Sequence, residues 1–370
     1  MSAVTDPQVL LIGDHEAGRF LTPQLAVDAL EAMYRELGTG TGVDRARSRT
    51  SLAVPGAKGR LRYTVNSMEG GGQHAGYYAL RINSVMWDWV DSESGPRRKI
   101  LPGDVGADSK FDGMICLFDT ATSLLVAFIP NFSVSRRRVA GSSAVAAKFL
   151  ARPESSTLGI IGSGSHAVSH ALTFAQHFPL EVIKVWGPTP DHVREFAARV
   201  SNRTGIRVDV VAGPDEAVDA DLVVTATNSM TPVLKSSWLR LGTHLTSVNP
   251  PEMPLDLEDV VDRVILKSRE SVQYFQSDDV GEEPNSQPRS DRVDDRTELS
   301  EVVAGKVAGR DEADQITFFA NNTGLGSEFA AIGAVVYREA IEAGAGHRVP
   351  LELFSAPKQN DLFGRAWQQR

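Results

Sequence analysis

Cysteine is almost missing from this sequence, and long hydrophobic runs are missing altogether. A single cysteine, Cys116, occurs among 370 residues, which excludes an intrachain disulfide framework and a metal site built from several cysteines. No metal ion is therefore expected. No run of about 18 apolar residues is present, so no membrane-spanning helix is predicted. Residues 1–14 contain no basic segment followed by an apolar one, so no secretory signal is recognised and a cytoplasmic location is expected.

Positive charge is also in deficit. The 38 Lys and Arg residues are outnumbered by 47 Asp and Glu residues, which gives a formal charge of −9. A general nucleic-acid-binding protein needs a basic face, so nucleic acid is not an expected partner. Hydrophobic residues make up 42% of the chain, as in ordinary soluble globular proteins. At roughly 150 residues per domain, the length predicts two domains.

The first 130 residues predict an α+β unit. An apolar run at 9–13 is typical of a strand, and Thr22-Pro23 indicates the start of a helix, with Thr as N-cap. Aromatic and polar residues alternate over 50–100, which predicts antiparallel strands with turns at 69–72 and 92–96. The apolar segments 114–118 and 124–128 flank a turn-like sequence and predict a hairpin.

From residue 142 onward, short apolar runs alternate with helical patterns. This alternation predicts an α/β fold in which a parallel sheet is doubly wound. The predicted strands lie at 158–162, 182–186, 208–211, 222–225, 244–248 and 264–266. The acidic, proline-containing stretch 277–298 predicts a polar surface loop, and 326–344 predicts a helix rich in Ala and Gly.

One glycine-rich motif indicates a ligand-binding function. It has the pattern G-x-G-x-x-A and lies between a predicted strand and a predicted helix: Gly162, Ser163, Gly164, Ser165, His166 and Ala167. The first Gly permits a tight turn, the second lets a pyrophosphate approach the backbone, and the Ala lets the helix pack closely. The helix N-terminus then offers free N–H groups to the phosphates. The motif predicts a dinucleotide-binding Rossmann domain.

The end of the second strand bears on the choice of dinucleotide. An NAD-preferring site usually has an acid there, whereas this sequence has Gly187, followed by Thr189 as an available hydroxyl. The absence of the acid favours NADP slightly, and NAD remains open. Small residues after a later strand are also assigned to the cofactor, with an ordinary turn as the alternative reading; they are Thr225, Ala226, Thr227 and Asn228.

The stretch from Arg138 to Ala167 resembles the ornithine cyclodeaminase/mu-crystallin family. The resemblance rests on 138–144, 147–153 and 158–167, and it continues at 21–23, 117–119, 225–227, 242–244, 305–310, 316–319 and 324–326. Segments 67–70, 79–82 and 321–326 are similar to a bacterial branch of the family labelled as a tyramine oxidase component.

The resemblance implies two domains and a dimer. Residues 1–138 with 325–370 would form the substrate-binding and dimerisation domain, and 139–324 the dinucleotide-binding Rossmann domain. Val248 and Asn322 join the cofactor-binding set. Family activities transfer a hydride between a nicotinamide, NAD or NADP, and the α-carbon of an amino or imino acid, so the expected partners are such a small molecule and a second copy of the chain.

Three arginines match positions that handle substrate in the family. Arg138 is expected to hold a substrate carboxylate with two parallel N–H donors. Arg81 stands where the family usually has a lysine; it is assigned to catalysis and substrate binding, although arginine cannot readily exchange a proton. An early arginine matches either Arg47 or Arg49, with Arg49 slightly preferred.

The largest departure from the family follows Val248. Cyclodeaminases place a catalytic Asp in this segment, whereas this chain has Asn249-Pro250-Pro251-Glu252. Glu252 is the candidate replacement and is assigned as catalytic, with a surface loop carboxylate as the alternative reading. Two prolines stiffen the loop and change where a carboxylate points.

The sequence therefore predicts an NAD(P)-dependent oxidoreductase acting on a C–N bond, of the imine reductase or amino-acid dehydrogenase type. Two alternatives stay open. One is a redox-neutral cyclodeaminase that releases ammonia from a diamino acid. The other is a non-catalytic NADP-binding protein or accessory subunit.

Overall fold

A computed structural model describes residues 7–54, 61–90, 97–101, 103–105, 110–270, 273–276 and 296–356. The predicted polar loop 277–298 lies almost entirely outside these residues. The helices are α1 (Asp14–Phe20), α2 (Pro23–Thr39), α3 (Asn131–Leu150), α4 (Ser165–His177), α5 (Pro190–Thr204), α6 (Pro214–Val218), α7 (Leu299–Val303) and α8 (Gly326–Glu342).

The strands follow the chain in this order: β1 (Gln8–Leu11), β2 (Gly42–Asp44), β3 (Ser48–Ala53), β4 (Arg62–Gly72), β5 (Tyr77–Val90), β6 (Arg97–Leu101), β7 (Gly103–Asp104), β8 (Lys110–Phe111), β9 (Met114–Asp119), β10 (Leu125–Pro130), β11 (Thr157–Ile161), β12 (Val182–Trp186), β13 (Arg207–Val210), β14 (Leu222–Thr225), β15 (His244–Ser247), β16 (Arg263–Leu266), β17 (Gln273–Gln276), β18 (Thr297–Glu298), β19 (Thr317–Ala320) and β20 (His347–Pro350).

The first sheet is mostly antiparallel and has the order β17-β3-β4-β5-β9-β10-β1-β20, with β2 beside β4 and β6 beside β5. Helix α8 packs across β4 and β5. Because side chains alternate between the faces of a strand, β5 turns Ala79, Arg81 and Asn83 towards the covered face, and all three are buried. The alternation along β5 thus brings a charged residue under a helix.

The start of α8 lies directly on β4. A Cβ on Gly326 would lie 2.0 Å from the backbone carbon of Glu69, so this contact requires glycine. The close approach places the polar first turn of α8 inside the protein, where Ser327 and Glu328 are buried.

The second sheet is parallel, with the order β13-β12-β11-β14-β15-β19-β16-β18. Chain order reverses on either side of β11, and helices connect the strands, as a doubly wound Rossmann sheet requires. The predicted α/β fold class with an accompanying α+β domain is confirmed.

Most of the predicted elements are present with small changes in their ends. Helix α2 begins as predicted: Pro23 is its first residue, and Thr22 Oγ1 accepts a hydrogen bond from Leu25 N at 3.2 Å. The predicted turn at 69–72 is wrong, because β4 continues to Gly72 and the chain turns over the next four residues. The predicted turn at 92–96 lies outside the described residues.

Two features cross the domain division that the sequence suggested. Helix α3 runs through the proposed boundary at residues 138 and 139, and β17 pairs with β3 of the first sheet. The division itself stays a prediction. Among the described residues, none of the helices is both long and apolar enough to cross a bilayer.

Candidate functional site

The carboxyl ends of the parallel strands form one edge of the second sheet. Ile161, Thr225, Ser247, Ala320 and Leu266 are neighbours in register across five strands. The residues that follow them therefore share this edge: Gly162, Ala226, Val248, Asn321 and Lys267. Ligands of doubly wound sheets bind outside such an edge.

The first glycine of the motif makes the turn that the sequence predicts. Gly162 has a φ of +118°, a region that favours glycine. A Cβ at this position would lie 2.5 Å from the carbonyl oxygen of Ala226. The Gly162 N–H donates to the Trp186 carbonyl at 2.8 Å, which ties the loop to the second strand.

The second glycine leaves open space beside the backbone. A Cβ on Gly164 would meet no atom within 4 Å. Gly164 is also the N-cap of α4 and makes no side-chain cap, so the first N–H groups of this helix have no capping partner among the described residues and can bind an anion. Ala167 is fully buried under the loop. The loop therefore fits the pyrophosphate of a dinucleotide.

The end of β12 carries no acid, as the sequence indicated. Gly187 is half-buried and lies near Ser163, and Thr189 is exposed at the N-terminus of α5. Two nearby cations already have carboxylate partners: Lys184 pairs with Asp219, and Arg194 pairs with Asp191. These contacts leave the choice between NAD and NADP open.

The remaining cofactor candidates follow the strands at the same edge and differ in how exposed they are. Thr225 and Ala226 are buried, and Thr227 is half-buried, whereas Asn228 is exposed. Val248 N donates to the Thr225 carbonyl at 3.3 Å, which joins two strand ends.

Asn322 is engaged with the end of β16. Its Oδ1 accepts from Lys267 N at 3.3 Å, and its Nδ2 donates to the Ser268 carbonyl at 3.1 Å. Asn322 therefore holds the backbone beside the cofactor edge, and its own contact with a cofactor stays a prediction.

Glu252 is fully buried at the end of a single 3₁₀ turn, Pro250–Glu252. Its carboxylate accepts hydrogen bonds from the backbone N and the Oγ1 of Thr227, and from Ser247 Oγ at 3.3 Å. Burial raises the pKa of Glu252, against the lowering effect of these donors. The contacts connect the loops after β14 and β15, and they turn the carboxylate towards the protein interior.

Arg138 projects from α3 into a buried charged cluster, in which Glu328 is the central carboxylate. Arg138 is only 7% exposed, and its Nη1 lies 3.1 Å from Glu328 Oε2. Lys267 Nζ lies 2.9 Å from Glu328 Oε1. Although burial opposes ionisation, the charges of Lys267 and Arg138 lower the pKa of Glu328 to about 2. Tyr34 and Ser142 donate their hydroxyl groups to the same carboxylate.

Arg81 lies beside this cluster without a carboxylate partner among the described residues. Its Nε donates to Asn131 Oδ1 at 2.9 Å, and its guanidinium lies 5.5 Å from the centre of the Phe329 ring. The guanidinium of Arg138 lies 5.2 Å from the same ring. Burial lowers the pKa of Arg81 to about 9, with further lowering by the charges of Arg47 and Arg138.

The early arginine is also near the cluster. Arg47 Nη2 donates to Asn66 Oδ1 at 2.8 Å, and the Arg47 charge acts on Arg81. Arg49 pairs in register with Asn66 across β3 and β4. The geometry favours Arg47 as the partner of Arg81, and the role of Arg49 stays a prediction.

Arg136 lies between the nucleotide loop and Asp112, whose carbonyl accepts a hydrogen bond from Asn131 Nδ2 at 3.0 Å. Its Nε donates to Ser165 Oγ at 2.9 Å, and its Nη1 lies 3.5 Å from Asp112 Oδ2. Burial lowers the pKa of His166 to about 3, and the charges of His170, Arg136 and Arg138 lower it further. His166 is therefore a neutral side chain between the loop and the arginines.

Sequence reasoning missed Glu328, Lys267 and Asn131. Each had a weak signal: Glu328 precedes the apolar run 329–332, Lys267 follows the apolar strand β16, and Asn131 opens an Ala-rich helix. A single charged residue beside an apolar run indicates a buried charge, but its partners lie far away in sequence.

Comparison with characterised proteins gives relatives along most of the chain. Alanine dehydrogenase of Archaeoglobus fulgidus is 25% identical over 92% of this chain and 98% of its own. A delta(1)-pyrroline-2-carboxylate reductase of Bacillus cereus is 29% identical over 64% of this chain and 74% of its own.

Solved structures show the same fold. A probable ornithine cyclodeaminase from Bordetella pertussis is 26% identical, with a TM-score of 0.69 over 91% of this chain and 99% of its own. Thermococcus litoralis delta(1)-pyrroline-2-carboxylate reductase, in complex with NADH and L-proline, is 23% identical, with a TM-score of 0.73 over 92% of this chain and 100% of its own.

The relatives are named for the reaction class that the sequence predicts, NAD(P)-dependent oxidoreduction at a C–N bond, and this prediction is confirmed at the level of the family. The model of the ornithine cyclodeaminase/mu-crystallin family matches residues 105–344. This chain belongs to the ornithine cyclodeaminase/mu-crystallin family.

Proposed function

We propose that this protein is an NAD(P)H-dependent reductase of imines that carry a carboxylate on the carbon to be reduced, and that it also runs the reverse oxidation of amino acids. The observation that carries the proposal is the position of Arg138 and Arg81 beside the nucleotide loop. Arg136 contacts Ser165 of the loop and also Asp112, whose carbonyl accepts from Asn131, the partner of Arg81.

The nicotinamide supplies or accepts the hydride when the dinucleotide is bound. The chain's own contribution is to hold both reactants. The loop Gly162–Ser165 and the N-terminus of α4 bind the pyrophosphate. Arg138 binds the substrate carboxylate, and proximity and orientation then supply much of the acceleration.

Arg81 has a binding function in this proposal. Its pKa of about 9 leaves the guanidinium largely protonated at neutral pH, so it does not readily exchange a proton with substrate. Since Asn131 is a neutral partner, the Arg81 charge is available to an anionic or polar group of the substrate.

The cyclodeaminase alternative has less support because the candidate base has other contacts. Glu252 is 0% exposed, and Thr227 and Ser247 donate to its carboxylate. A base that removes a substrate proton must reach it, whereas this carboxylate accepts hydrogen bonds from the loop after β14 and from the end of β15. Glu252 is better explained as a positioning residue of the cofactor edge.

The proposal includes a homodimer, with the cytoplasm as the site of action. The archaeal alanine dehydrogenase with a similar fold is described as a dimer with bound NAD. The proposed interface belongs to the first sheet. Sedimentation velocity at micromolar concentration tests it, and a monomer would contradict it.

The test of function is a screen for NADH and NADPH consumption. The panel contains Δ1-pyrroline-2-carboxylate, Δ1-piperideine-2-carboxylate, pyruvate with ammonia or methylamine, and 1-pyrroline as the imine without a carboxylate. We expect turnover of carboxylate-bearing imines. Ammonia release from ornithine or lysine without net change in the cofactor would instead identify a cyclodeaminase. Tight cofactor binding without any turnover would identify a non-catalytic protein.

A further inference from the structure

The buried cluster around Glu328 contains one more cation than is needed to hold Arg138 in place, for which Glu328 alone would suffice. Its carboxylate contacts two cations, Arg138 at 3.1 Å and Lys267 at 2.9 Å. Glu328 and Lys267 are both 0% exposed on their side chains. Placing a third charge in this interior has a large desolvation cost, which calls for a functional explanation.

The three charges come from separate parts of the chain. Arg138 lies on α3, Glu328 on the first turn of α8, and Lys267 directly after β16 at the cofactor edge. A second acid, Asp44 on β2, lies nearby, and its Oδ1 accepts from Ser327 N at 2.9 Å. The Asp44 charge also acts on Lys267.

The charge balance shows what Lys267 does. Arg138 and Glu328 alone would form a closed neutral pair. Negative charge beside Arg138 disfavours the approach of another carboxylate. Lys267 offsets part of the Glu328 charge, so the guanidinium of Arg138 retains positive charge for a substrate carboxylate.

We infer that Lys267 is a positioning residue that keeps Arg138 able to bind a substrate carboxylate, by sharing the negative charge of Glu328. This inference rests on the proposed function, because it takes Arg138 as the carboxylate-binding residue. Lys267 itself is fully buried and does not contact the substrate.

The inference distinguishes Lys267 from a merely structural lysine through a double substitution. Lys267→Met removes the compensating charge and leaves Arg138 neutralised by Glu328. Adding Glu328→Gln to this variant removes the neutralising charge, so anion binding returns. A purely structural role predicts instead that only the free energy of unfolding changes, and that the folded single variants bind an anion as tightly as the wild type.

The probe is pyrrole-2-carboxylate, a planar and unreactive analogue of a cyclic imino acid, titrated by calorimetry into the protein with bound NADP⁺ or NAD⁺. Losing the charge on a hydrogen-bonded site predicts a dissociation constant about tenfold higher for Lys267→Met. The double variant is expected within about threefold of wild type, and cofactor affinity within about twofold in every variant.

Two further variants show whether a loss of probe affinity comes from the lost charge or from misfolding. Lys267→Gln keeps a hydrogen-bond donor for Glu328 without the charge, and the same loss of probe affinity is expected. Tyr34→Phe removes a neutral donor to Glu328, at 2.9 Å in the wild type, without changing any charge. It is expected to lower stability and to leave probe affinity unchanged.

The outcomes separate this inference from the proposed function. Unchanged probe affinity in Lys267→Met and Lys267→Gln, or no recovery in the folded double variant, overturns the inference. If the wild type reduces imines but does not bind the probe, the inference fails while the proposed function stands. If no imine is reduced but the lysine effect on the probe is present, the anion site stands and the proposed function fails.

Discussion

Lys267 Nζ lies 2.9 Å from Glu328 Oε1, although the two residues are 61 positions apart in the chain and both side chains are fully buried. Lys267 directly follows a strand of the parallel sheet, and Glu328 lies in the first turn of the helix that packs on the mostly antiparallel sheet. This ion pair therefore fixes the cofactor edge against the arginine cluster.

Glu328→Gln should be strongly destabilising. It leaves the buried Lys267 and Arg138 without their carboxylate, and breaking a buried ion pair typically costs about 3–5 kcal/mol. Urea unfolding measures the change. The matched control is Glu31→Gln, which removes the partly exposed partner of Arg35 and Lys148 and should cost no more than about 1 kcal/mol. Equal effects of the two substitutions would contradict the cluster's importance.

Gly164→Val should abolish cofactor binding while the fold survives. The new side chain has open space in the free protein and would occupy the region assigned to the pyrophosphate. Calorimetry with NADH and NADPH, together with a thermal unfolding curve, measures both properties. The contrasting variant is Gly162→Ala, which should also damage the fold because of the positive φ and the nearby Ala226 carbonyl. Unchanged nucleotide affinity in a folded Gly164→Val protein would refute the loop assignment.

Arg138→Lys should weaken use of carboxylate-bearing imines about ten- to a hundredfold in kcat/KM, because lysine keeps the charge but loses the two parallel donors. Cofactor affinity should not change. Arg338→Lys, on the exposed part of α8, is the control and should retain full activity. If Arg138→Lys and Arg138→Ala both keep full activity, Arg138 is structural and the proposed substrate class loses its main support.

Glu252→Gln tests whether this residue is a base or a support. Because its carboxylate holds Thr227 and Ser247, we expect a stability loss of about 1–3 kcal/mol and weaker cofactor binding. The maximal rate at saturating cofactor should remain within about threefold of wild type. A loss of several orders of magnitude, with a titration missing from the pH profile, would instead make Glu252 catalytic.

Asp44 should make stability fall as the pH rises from about 4 to 7. Burial, with a further contribution from Glu328, raises the pKa of Asp44 from 3.8 to about 7. The folded protein therefore binds a proton that the unfolded chain releases. The stabilisation is complete below the unfolded pKa and declines towards the folded one, by at most about 1.4 kcal/mol per pH unit.

The comparison of wild type with Asp44→Asn isolates this effect. Burial lowers the pKa of His170 to about 4 and that of His244 to about 3, which makes stability rise with pH, but both histidines contribute equally to the two proteins. The free energy of unfolding at pH 7 minus that at pH 5 should be more positive in Asp44→Asn than in the wild type, because the variant lacks the contribution that falls as the pH rises. Asp28→Asn, on an exposed helix face, should show the wild-type dependence. A parallel pH dependence in wild type and Asp44→Asn would show that Asp44 is ionised throughout.

The sequence alone determined the dinucleotide loop and the class of fold. The roles of Gly162, Gly164 and Ala167 are local, since each depends on the conformation of a few neighbouring residues. Strand and helix periods are local as well, which is why most of the parallel sheet was predicted within a residue or two. The turn at 69–72 failed because the glycines at the end of β4 serve close packing, Gly70 against Ser327 of α8, Gly71 against Tyr77 of β5 and Gly72 against Glu36 of α2. Local patterns do not reveal these contacts.

The charged side of the site was decided only by tertiary structure. Arg138 and Arg81 were identified through family resemblance, but their neighbours were not, because Glu328 lies 190 residues from Arg138 in the chain. Glu252 had a plausible position in sequence, yet only packing shows that its carboxylate faces Thr227 and Ser247. Electrostatic partners depend on distances in space, and long-range chain geometry alone brings Lys267, Glu328 and Arg138 together.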